Sequence, residues 1–370
     1  MLTIGVIATS RKPHEGRVAI HPAHLGLIPA EIREHLIFQR GYGRRFGVAD
    51  ERIAAGGGGM AGRDEIFDRA DIILLPKPML EDLQRMREGG VLWGWAHCVQ
   101  NPFLTQTAID RRLTLIAWES MNEWGPGGER QRHVFEKNNE IAGYAAVLHA
   151  LGLVGVDGHY GPSRKALVIH FGCVSRGAVR ALQAHGFNDI TVFTLTPPDV
   201  LPDRVTGVEC RRLRRGQDNR VMVIEPDGAA HSFIHDLAAA DIIVNGMWQD
   251  TDRPLMFLRE DEVRRLKPGS LIIDVSCDAG MGFPFSAPTT FDQPVRGVGQ
   301  VSYYAVDHTP SYLWHSASWE ISKALLPYLP VVMAGPEEWE KNQTIRRAIE
   351  IRDGVIQNPK ILSFQRRSAG

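Results

Sequence analysis

Three residues early in the chain have types suited to work on a carbonyl compound, and each follows an apolar run. Arg17 stands in the charged, proline-punctuated loop from Lys12 to Pro22, after the run Leu2–Ile7. Lys77 sits in Pro76-Lys77-Pro78 after Asp71–Leu75, and His97 sits in Ala96-His97-Cys98 after Val91–Trp95. Arginine offers a planar fork that matches a carboxylate. A lysine between two prolines has a restricted backbone and can aim a charge at a carbonyl oxygen. A histidine at a strand end exchanges protons near neutral pH. Taken singly, Arg17 fits a surface cation, Lys77 a solvated one and His97 a satisfied core histidine. Taken together, at successive strand ends, they suit a carboxylate-bearing carbonyl or imine that is reduced by hydride.

A hydride needs a donor, and the stretch Lys165–Leu182 has the form of a site for one. Ala166–Ile169 is an apolar strand, Gly172 begins a turn, and Cys173-Val174-Ser175-Arg176 leads to Gly177 and an amphipathic helix. Strand, glycine turn and helix bring backbone N–H groups to a pyrophosphate. Val174 occupies the middle glycine of G-x-G-x-x-G, so the motif alone is weak, and a turn that binds nothing is its bland alternative. The second strand, Ile190–Phe193, ends at Thr194. Later strands deliver Asn245-Gly246, then Val275-Ser276, and finally Asp307-His308. Of the two acids in I-I-D-V-S-C-D, Asp274 and Asp278, one is expected to reach the cofactor, with an N-cap or loop acid as the alternative.

The elements that must position these groups alternate strand and helix, which indicates parallel sheets. Strands are expected at Leu36–Phe38, Leu113–Trp118, Asp241–Gly246, Leu271–Asp278 and Val301–Val306. Helices are expected from Ala23, over Asn138–Leu151 as an inter-domain connection, and over Glu260–Leu266, Trp319–Leu329 and Glu337–Ile351. Gly56–Gly59 reads as a loop, Met121–Gly125 as packing, and the last residues as loose. At 370 residues the chain is long for one domain. A net charge of −1 gives no reason to expect nucleic acid or an anionic membrane as partner, and Arg211-Arg212 with Arg214-Arg215 reads as a solvated loop. Cys98, Cys173, Cys210 and Cys277 form no C-x-x-C, so neither a metal site nor a disulfide framework is expected. No uncharged apolar segment reaches the ~18 residues of a membrane span, and the chain reads as cytoplasmic.

The segments E-G-R-V-A-I-H-P, L-P-K-P, W-A-H, I-A-W-E, N-E-I-A-G, K-P-G-S-L-I-I-D-V-S-C-D-A-G and Y-A-V-D-H-T-P-S occur in this order from Glu15 to about Pro330. In that order they resemble the alanine dehydrogenase / lysine-forming saccharopine dehydrogenase superfamily. K-N-N-E-I-A-G-Y, F-G-C-V-S-R-G-A and A-V-D-H-T-P look most like its N5-(carboxyethyl)ornithine synthase branch, whose opine-type enzymes join an ornithine or lysine amine to pyruvate and reduce the imine. The resemblance implies an α/β fold of two Rossmann-like domains. The dinucleotide-binding domain, 137–313, would be inserted into a split substrate domain of residues 1–136 and the C-terminal helices of 314–370. It implies that Arg17 holds the oxo-acid carboxylate, that Lys77 and His97 are the acid–base pair, and that Asp278 lies beside the nicotinamide. It also implies that Glu119 acts on the amine side. The cofactor contacts would be Gly172, Val174, Ser175, Arg176, Gly177, Thr194, Asn245, Gly246, Val275, Ser276 and Asp307.

Alanine dehydrogenases carry an aspartate where Thr194 stands. Its absence favours NADP over NAD, with Arg204 or Arg211 as the cation for a 2′-phosphate. The expected partners are small molecules, an amino acid and a 2-oxo acid, with no nucleic acid and no membrane; a homo-oligomer is left open. Rival readings are alanine dehydrogenase itself, an enzyme cleaving an N-substituted lysine or hydrazine-linked amino acid, and a non-catalytic NAD(P)-binding module.

Overall fold

Short runs rich in Ile, Val and Leu form strands that are buried on both faces when helices flank a parallel sheet. The computed structural model describes residues 1–201, 205–216 and 220–368, and it contains two such sheets. The chain divides into one unit of Met1–Glu136 with Trp314–Gly370 and a second of Lys137–Leu313.

The first unit opens with β1 (Ile4–Val6), β2 (Leu36–Gln39), β3 (Gly59–Ala61), β4 (Ile72–Leu74), β5 (Val91–Gly94) and β6 (Thr114–Ala117). A hairpin of β7 (Asn122–Trp124) and β8 (Arg130–His133) follows. The second unit contributes β9 (Lys165–Ile169), β10 (Asp189–Thr194), β11 (Glu209–Arg215), β12 (Val221–Ile224), β13 (Ala230–Ser232), β14 (Ile242–Asn245), β15 (Leu271–Asp274), β16 (Val295–Val298) and β17 (Val301–Tyr304). The chain then returns to the first unit with β18 (Ile349–Arg352) and β19 (Val355–Ile356).

Both sheets have the same core order. In the first unit it is β3-β2-β1-β4-β5-β6, parallel throughout, extended by antiparallel β18 and β19. In the second it is β11-β10-β9-β14-β15-β17, again parallel, with β12, β13 and β16 as antiparallel edges. The strand order reverses between β1 and β4 and between β9 and β14, the points where doubly wound sheets bind ligands beyond their carboxyl ends. Alternate side chains serve opposite faces. Ile72, Leu74, Val91 and Trp93 join one core layer of the first unit, while Ile73, Leu75 and Leu92 join the other. In the second unit Leu167 and Ile169 face one layer, and Ala166 and Val168 face its opposite. The fold is the two-domain α/β arrangement expected from sequence.

Several local expectations are corrected. Residues after His21 form a 3-10 turn, Pro22–Leu27, and Glu260–Arg265 is likewise 3-10. Gly59, the last of four glycines, is strand rather than loop, because its backbone pairs with Ile37 at the sheet edge. The helical pattern over Glu337–Ile351 is two short helices, Pro336–Lys341 and Gln343–Ala348, separated at Asn342, and it ends at Ala348: Ile349-Glu350-Ile351 alternates with the period of a strand and pairs with β6. The C-terminal segment of the first unit therefore supplies sheet as well as helices. Ser363–Gln365, read as loose, belongs to the helix Pro359–Gln365, whose Gln365 amide donates to the Cys98 carbonyl at 2.7 Å.

One glycine sets the spacing of the first unit's strand ends. A Cβ on Gly94 would stand 1.9 Å from the Leu75 carbonyl oxygen, so only a glycine admits this approach. Gly94→Ala is expected to cost about 3 kcal/mol by overpacking and to lower both the melting temperature and whatever activity depends on the adjoining loops; thermal melts and assays on one preparation check it.

Candidate active site

The first unit gathers its ionisable groups at the carboxyl ends of β1, β4, β5 and β6. Beyond β4 and β5 the ladder continues past the strands themselves: Leu75 N–H donates to Trp93 O at 3.2 Å, and Trp95 N–H donates to Pro76 O at 3.0 Å. This zip holds the two exit loops side by side. Across it, Lys77 Nζ lies 2.6 Å from His97 Nε2, a hydrogen-bond distance for an amine and an imidazole. Ser10, after β1, hydrogen-bonds the Lys77 carbonyl and ties the first loop to the second. His97 adopts φ 48°, left-handed for a non-glycine residue. Glu119, in the turn after β6, accepts the His97 main-chain N–H, and its Oε1 lies 3.9 Å from His97 Nδ1.

Arg17 lies deeper. Its Nε and one Nη bind Glu15 at 2.8 and 2.6 Å, both side chains being buried, and its guanidinium stands 4.8 Å from the Trp95 ring centroid. Glu15 fixes the plane of the fork, a partner to which the sequence reading gave no role. Under these groups Trp118 stacks on Phe135 at 4.8 Å and meets Trp95 edge-on at 4.7 Å. Burial, and then the charge of Glu350, raise the Glu119 carboxyl well above the usual carboxylate range.

In the second unit Gly172 caps the helix Cys173–Ala184, whose first-turn N–H groups are the natural donors for a phosphate. Ser175 is buried and its Oγ donates to Ile169 O at 3.0 Å, closing the turn onto β9. The glycine missing at Val174 has a counterpart across the turn. A Cβ on Gly246 would meet Ser175 Oγ at 2.5 Å and Val174 Cγ1 at 3.1 Å, so Gly246 makes the room that the fingerprint's middle glycine makes elsewhere. Gly177 packs on a helix, not the strand: its Cβ would lie 1.8 Å from Glu140 O in the helix Glu136–Val154.

Asp274 and Asp278 separate cleanly. Asp274 is wholly buried and accepts from Asn245 Nδ2, Ser286 Oγ and Tyr303 OH, each at 2.8 Å, and from Cys277 N–H at 3.0 Å. It therefore ties the ends of β14, β15 and β17 together and binds nothing external. Asp278, four residues on, is partly exposed, and burial together with Asp274 pushes its carboxyl up to about 6. Ser276 Oγ donates to Met247 O at 2.6 Å and Val275 N–H to Asn245 O at 2.9 Å, so these two are also bound into the strand ends. Arg176 has its guanidinium 3.3 Å from Cys173 Sγ. Asp307 pairs with His308 Nδ1 at 2.7 Å. Thr194 is buried, its Oγ1 accepting from Thr196 N–H at 3.2 Å. Arg211 is held by Glu209 at 2.8 Å with Glu225 and Asp236 close by, and Arg204 lies outside the described residues. No disulfide joins Cys98, Cys173, Cys210 or Cys277, and no metal-binding cluster occurs among the described residues.

Two family models match the chain: the N-terminal domain of alanine dehydrogenase/PNT over residues 5–142, and the C-terminal domain over 202–359. The chain belongs to the alanine dehydrogenase/PNT family. The N(5)-(carboxyethyl)ornithine synthase of Clostridium botulinum is 26% identical over 332 residues, 84% of this chain and 89% of that one. The alanine dehydrogenase of Mycobacterium tuberculosis is 25% identical over 369 residues, 96% and 95% of the two chains. Among solved structures, an L-alanine dehydrogenase superposes with a TM-score of 0.75 at 18% identity, covering 99% of each chain. A transhydrogenase from Sinorhizobium meliloti gives 0.68 at 17% identity, over 96% and 99%. The family is one of NAD-dependent amino-acid dehydrogenases, which makes the chain an oxidoreductase that uses a nicotinamide dinucleotide. No helix among the described residues is long and apolar enough to cross a membrane.

Asp274→Asn removes the charge that helps hold Asp278 up. The Asp278 carboxyl is expected to titrate below its present value of about 6, visible in carboxyl NMR. The same change loses part of a four-donor site and is expected to destabilise the second unit by about 2 kcal/mol, checked by thermal melts.

Proposed function

We propose that the protein is an NAD(P)H-dependent oxidoreductase acting on a CH–NH bond, reversibly joining an amino-acid amine of the ornithine or lysine type to a 2-oxo acid of the pyruvate type. The observation that carries this is the 2.6 Å contact of Lys77 Nζ with His97 Nε2 at adjoining strand ends. In this reading Met1–Glu136 with Trp314–Gly370 is the substrate domain and Lys137–Leu313 the dinucleotide domain. Arg17 supplies the cation for the oxo-acid carboxylate, with Glu15 setting the plane of its guanidinium. Lys77 donates to the carbonyl oxygen and draws electron density from the carbon that the amine attacks. His97 passes the proton that lets water leave the carbinolamine, giving the imine. Glu119 acts on the amine side and holds the His97 backbone. Gly172, Val174, Ser175, Arg176, Gly177 and Gly246 cradle the pyrophosphate. Asn245, Val275, Ser276, Asp278 and Asp307 line the nicotinamide end. A bound dinucleotide supplies the hydride that the imine carbon accepts.

Lys77→Met and His97→Gln are each expected to lower turnover by ~10²-fold or more, the usual contribution of a general acid–base group. Retention of turnover within a few-fold of wild type would remove the assignment. NADH and NADPH oxidation with pyruvate, 2-oxoglutarate and glyoxylate, each paired with ornithine, lysine or ammonia, identifies the substrates. Alanine dehydrogenase activity is the second reading, favoured by the 25% identity over 96% of the chain to an enzyme of that name; ammonia with pyruvate as the best pair would select it.

NADPH is the proposed reductant. No acid ends β10 to repel a 2′-phosphate, since buried Thr194 stands there. Directly across the β10–β11 ladder from Thr194 is Arg212, which is exposed, whereas Arg211 is engaged by Glu209. Arg212→Ala is expected to raise the KM for NADPH by about tenfold, the worth of one charge-assisted hydrogen bond, with little change for NADH. Equal KM shifts for both cofactors in steady-state assays would assign Arg212 no part in the choice.

A further inference from the structure

Two carboxyl groups, a half-buried Glu119 and a buried Glu350, are tied to one turn near the Lys77–His97 pair, and only Glu119 has a part in the reading above. Glu350, on β18, is 2% exposed. Its Oε1 accepts from Ser120 Oγ at 2.8 Å and from Asn358 Nδ2 at 3.0 Å. Ser120 is the neighbour of Glu119, so one short turn carries both an acid and the tether of the other. Each carboxyl then has one oxygen accounted for and one that is not: Glu119 Oε2 and Glu350 Oε2 are both buried with no hydrogen-bond partner among the described residues. Two unpartnered carboxylate oxygens in a dry site are costly, and protonating one group removes the charge and creates a donor. We infer that Glu119 and Glu350 hold one proton between them, so that Glu119 meets Lys77 and His97 as a neutral acid and Glu350 is its positioning residue.

The groups that face this pair are consistent with a single retained proton. Lys77 and His97 come from the exits of β4 and β5, and Lys77 pulls the Glu119 carboxyl down. Burial outweighs that pull, and the charge of Glu350 raises the Glu119 carboxyl further. Cys98, beside His97, has its thiol pushed well up by burial and by both acids. His133 on β8 lies 3.2 Å from the Glu119 carbonyl oxygen, and burial lowers its imidazole to about 4, so it brings no positive charge at neutral pH. Burial likewise raises Glu350, against its two hydrogen bonds. A neutral Glu119 still accepts the His97 N–H through its carbonyl oxygen, so the backbone of His97 stays fixed while no anion biases the Lys77–His97 proton.

The consequence for pH follows from linkage. Because the native pair keeps a proton that the unfolded chain releases in the ordinary carboxylate range, it lowers stability as pH rises from that range to neutrality. Glu350→Gln removes the repulsion, lets Glu119 ionise and stabilises the protonated form of the Lys77–His97 pair. The functional part of the proposal rests on the acid–base role proposed above for that pair; the proton itself does not.

The test is infrared spectroscopy of the full-length protein with Glu350→Gln and Glu119→Gln, read alongside thermal melts and pH–rate profiles. At pH 7 the wild type is expected to show the C=O stretch of a buried protonated carboxyl that disappears in either variant. The melting temperature of Glu350→Gln relative to wild type is expected to rise with pH, and the acid limb of its turnover to move up by about one pH unit. Absence of the band from the wild type, or its persistence in both variants, overturns the shared proton. A melting-temperature loss that is equal at every pH leaves Glu350 a packing residue and also overturns it. If the chain proves inactive with every substrate pair, the infrared and melting results still decide the question. If Glu350→Gln does not fold, Glu119→Gln carries the infrared test alone.

Discussion

The candidate site depends on the continuation of the β4–β5 ladder past the ends of both strands. The Trp95–Pro76 hydrogen bond fixes the two loops to one register, and Gly94 permits the approach. Without that pair of bonds Lys77 and His97 would be flexible side chains on separate loops. Holding an ammonium and an imidazole 2.6 Å apart by side-chain preference alone would carry a large entropic cost. The backbone meets that cost in advance, so the contact is preorganised by elements whose stability comes from the apolar layers on either side of the sheet.

The second unit solves a related problem with glycines. A pyrophosphate turn needs the backbone to approach closely at several points, and the usual fingerprint places the needed glycines along one segment. Here they are distributed among three. Gly172 opens the turn, Gly246 on the neighbouring strand end makes room beside Val174, and Gly143 and Gly177 let two helices meet backbone to backbone. A Cβ on Gly143 would lie 1.8 Å from Val174 O, which is as prohibitive as the clash at Gly177. The helix Glu136–Val154 is thereby part of the turn's support, which explains why N-E-I-A-G keeps its glycine inside a helix despite the propensity cost.

The strand core and its parallel order were readable from the sequence because each strand is a short apolar run buried on two faces, and the strand ends followed from where those runs stop. Lys77, His97 and Gly172 stood out for that reason, whereas Asp278 was singled out only by the family resemblance. Glu350 was not, since its segment has helical spacing up to Ala348 and only three residues, Ile349-Glu350-Ile351, carry the strand period. Nor does local pattern distinguish Asp274 from Asp278. Their difference is made by Asn245, Ser286 and Tyr303, which converge on Asp274 from segments remote in sequence. Long-range polar convergence of this kind leaves no periodic trace. Gly246 is a similar case, because its meaning depends on what stands opposite it in the fold.

The same device recurs in both units at the point where a strand must turn and aim a side chain. His97 at φ 48° and Cys277 at φ 36° are non-glycine residues in the left-handed region, which costs on the order of 1 kcal/mol each. In each case a carboxyl group accepts the main-chain N–H of that residue: Glu119 for His97 and Asp274 for Cys277. A neutral hydrogen bond of this kind contributes about 0.5–1.5 kcal/mol and one to a charged group about 1.5–3 kcal/mol, so even a neutral carboxyl offsets the cost of the unusual backbone. His170, a third strand-end residue at φ 71°, is instead held by the Phe193 carbonyl. Asp274 behind Cys277 is wholly buried and Glu119 behind His97 is half-buried, and burial raises both carboxyls, so each unit keeps an acid near its strand ends whose first duty is to fix the backbone. Any chemistry at His97 or Asp278 is then built on a chain direction that no glycine had to supply, leaving those positions able to carry reactive side chains.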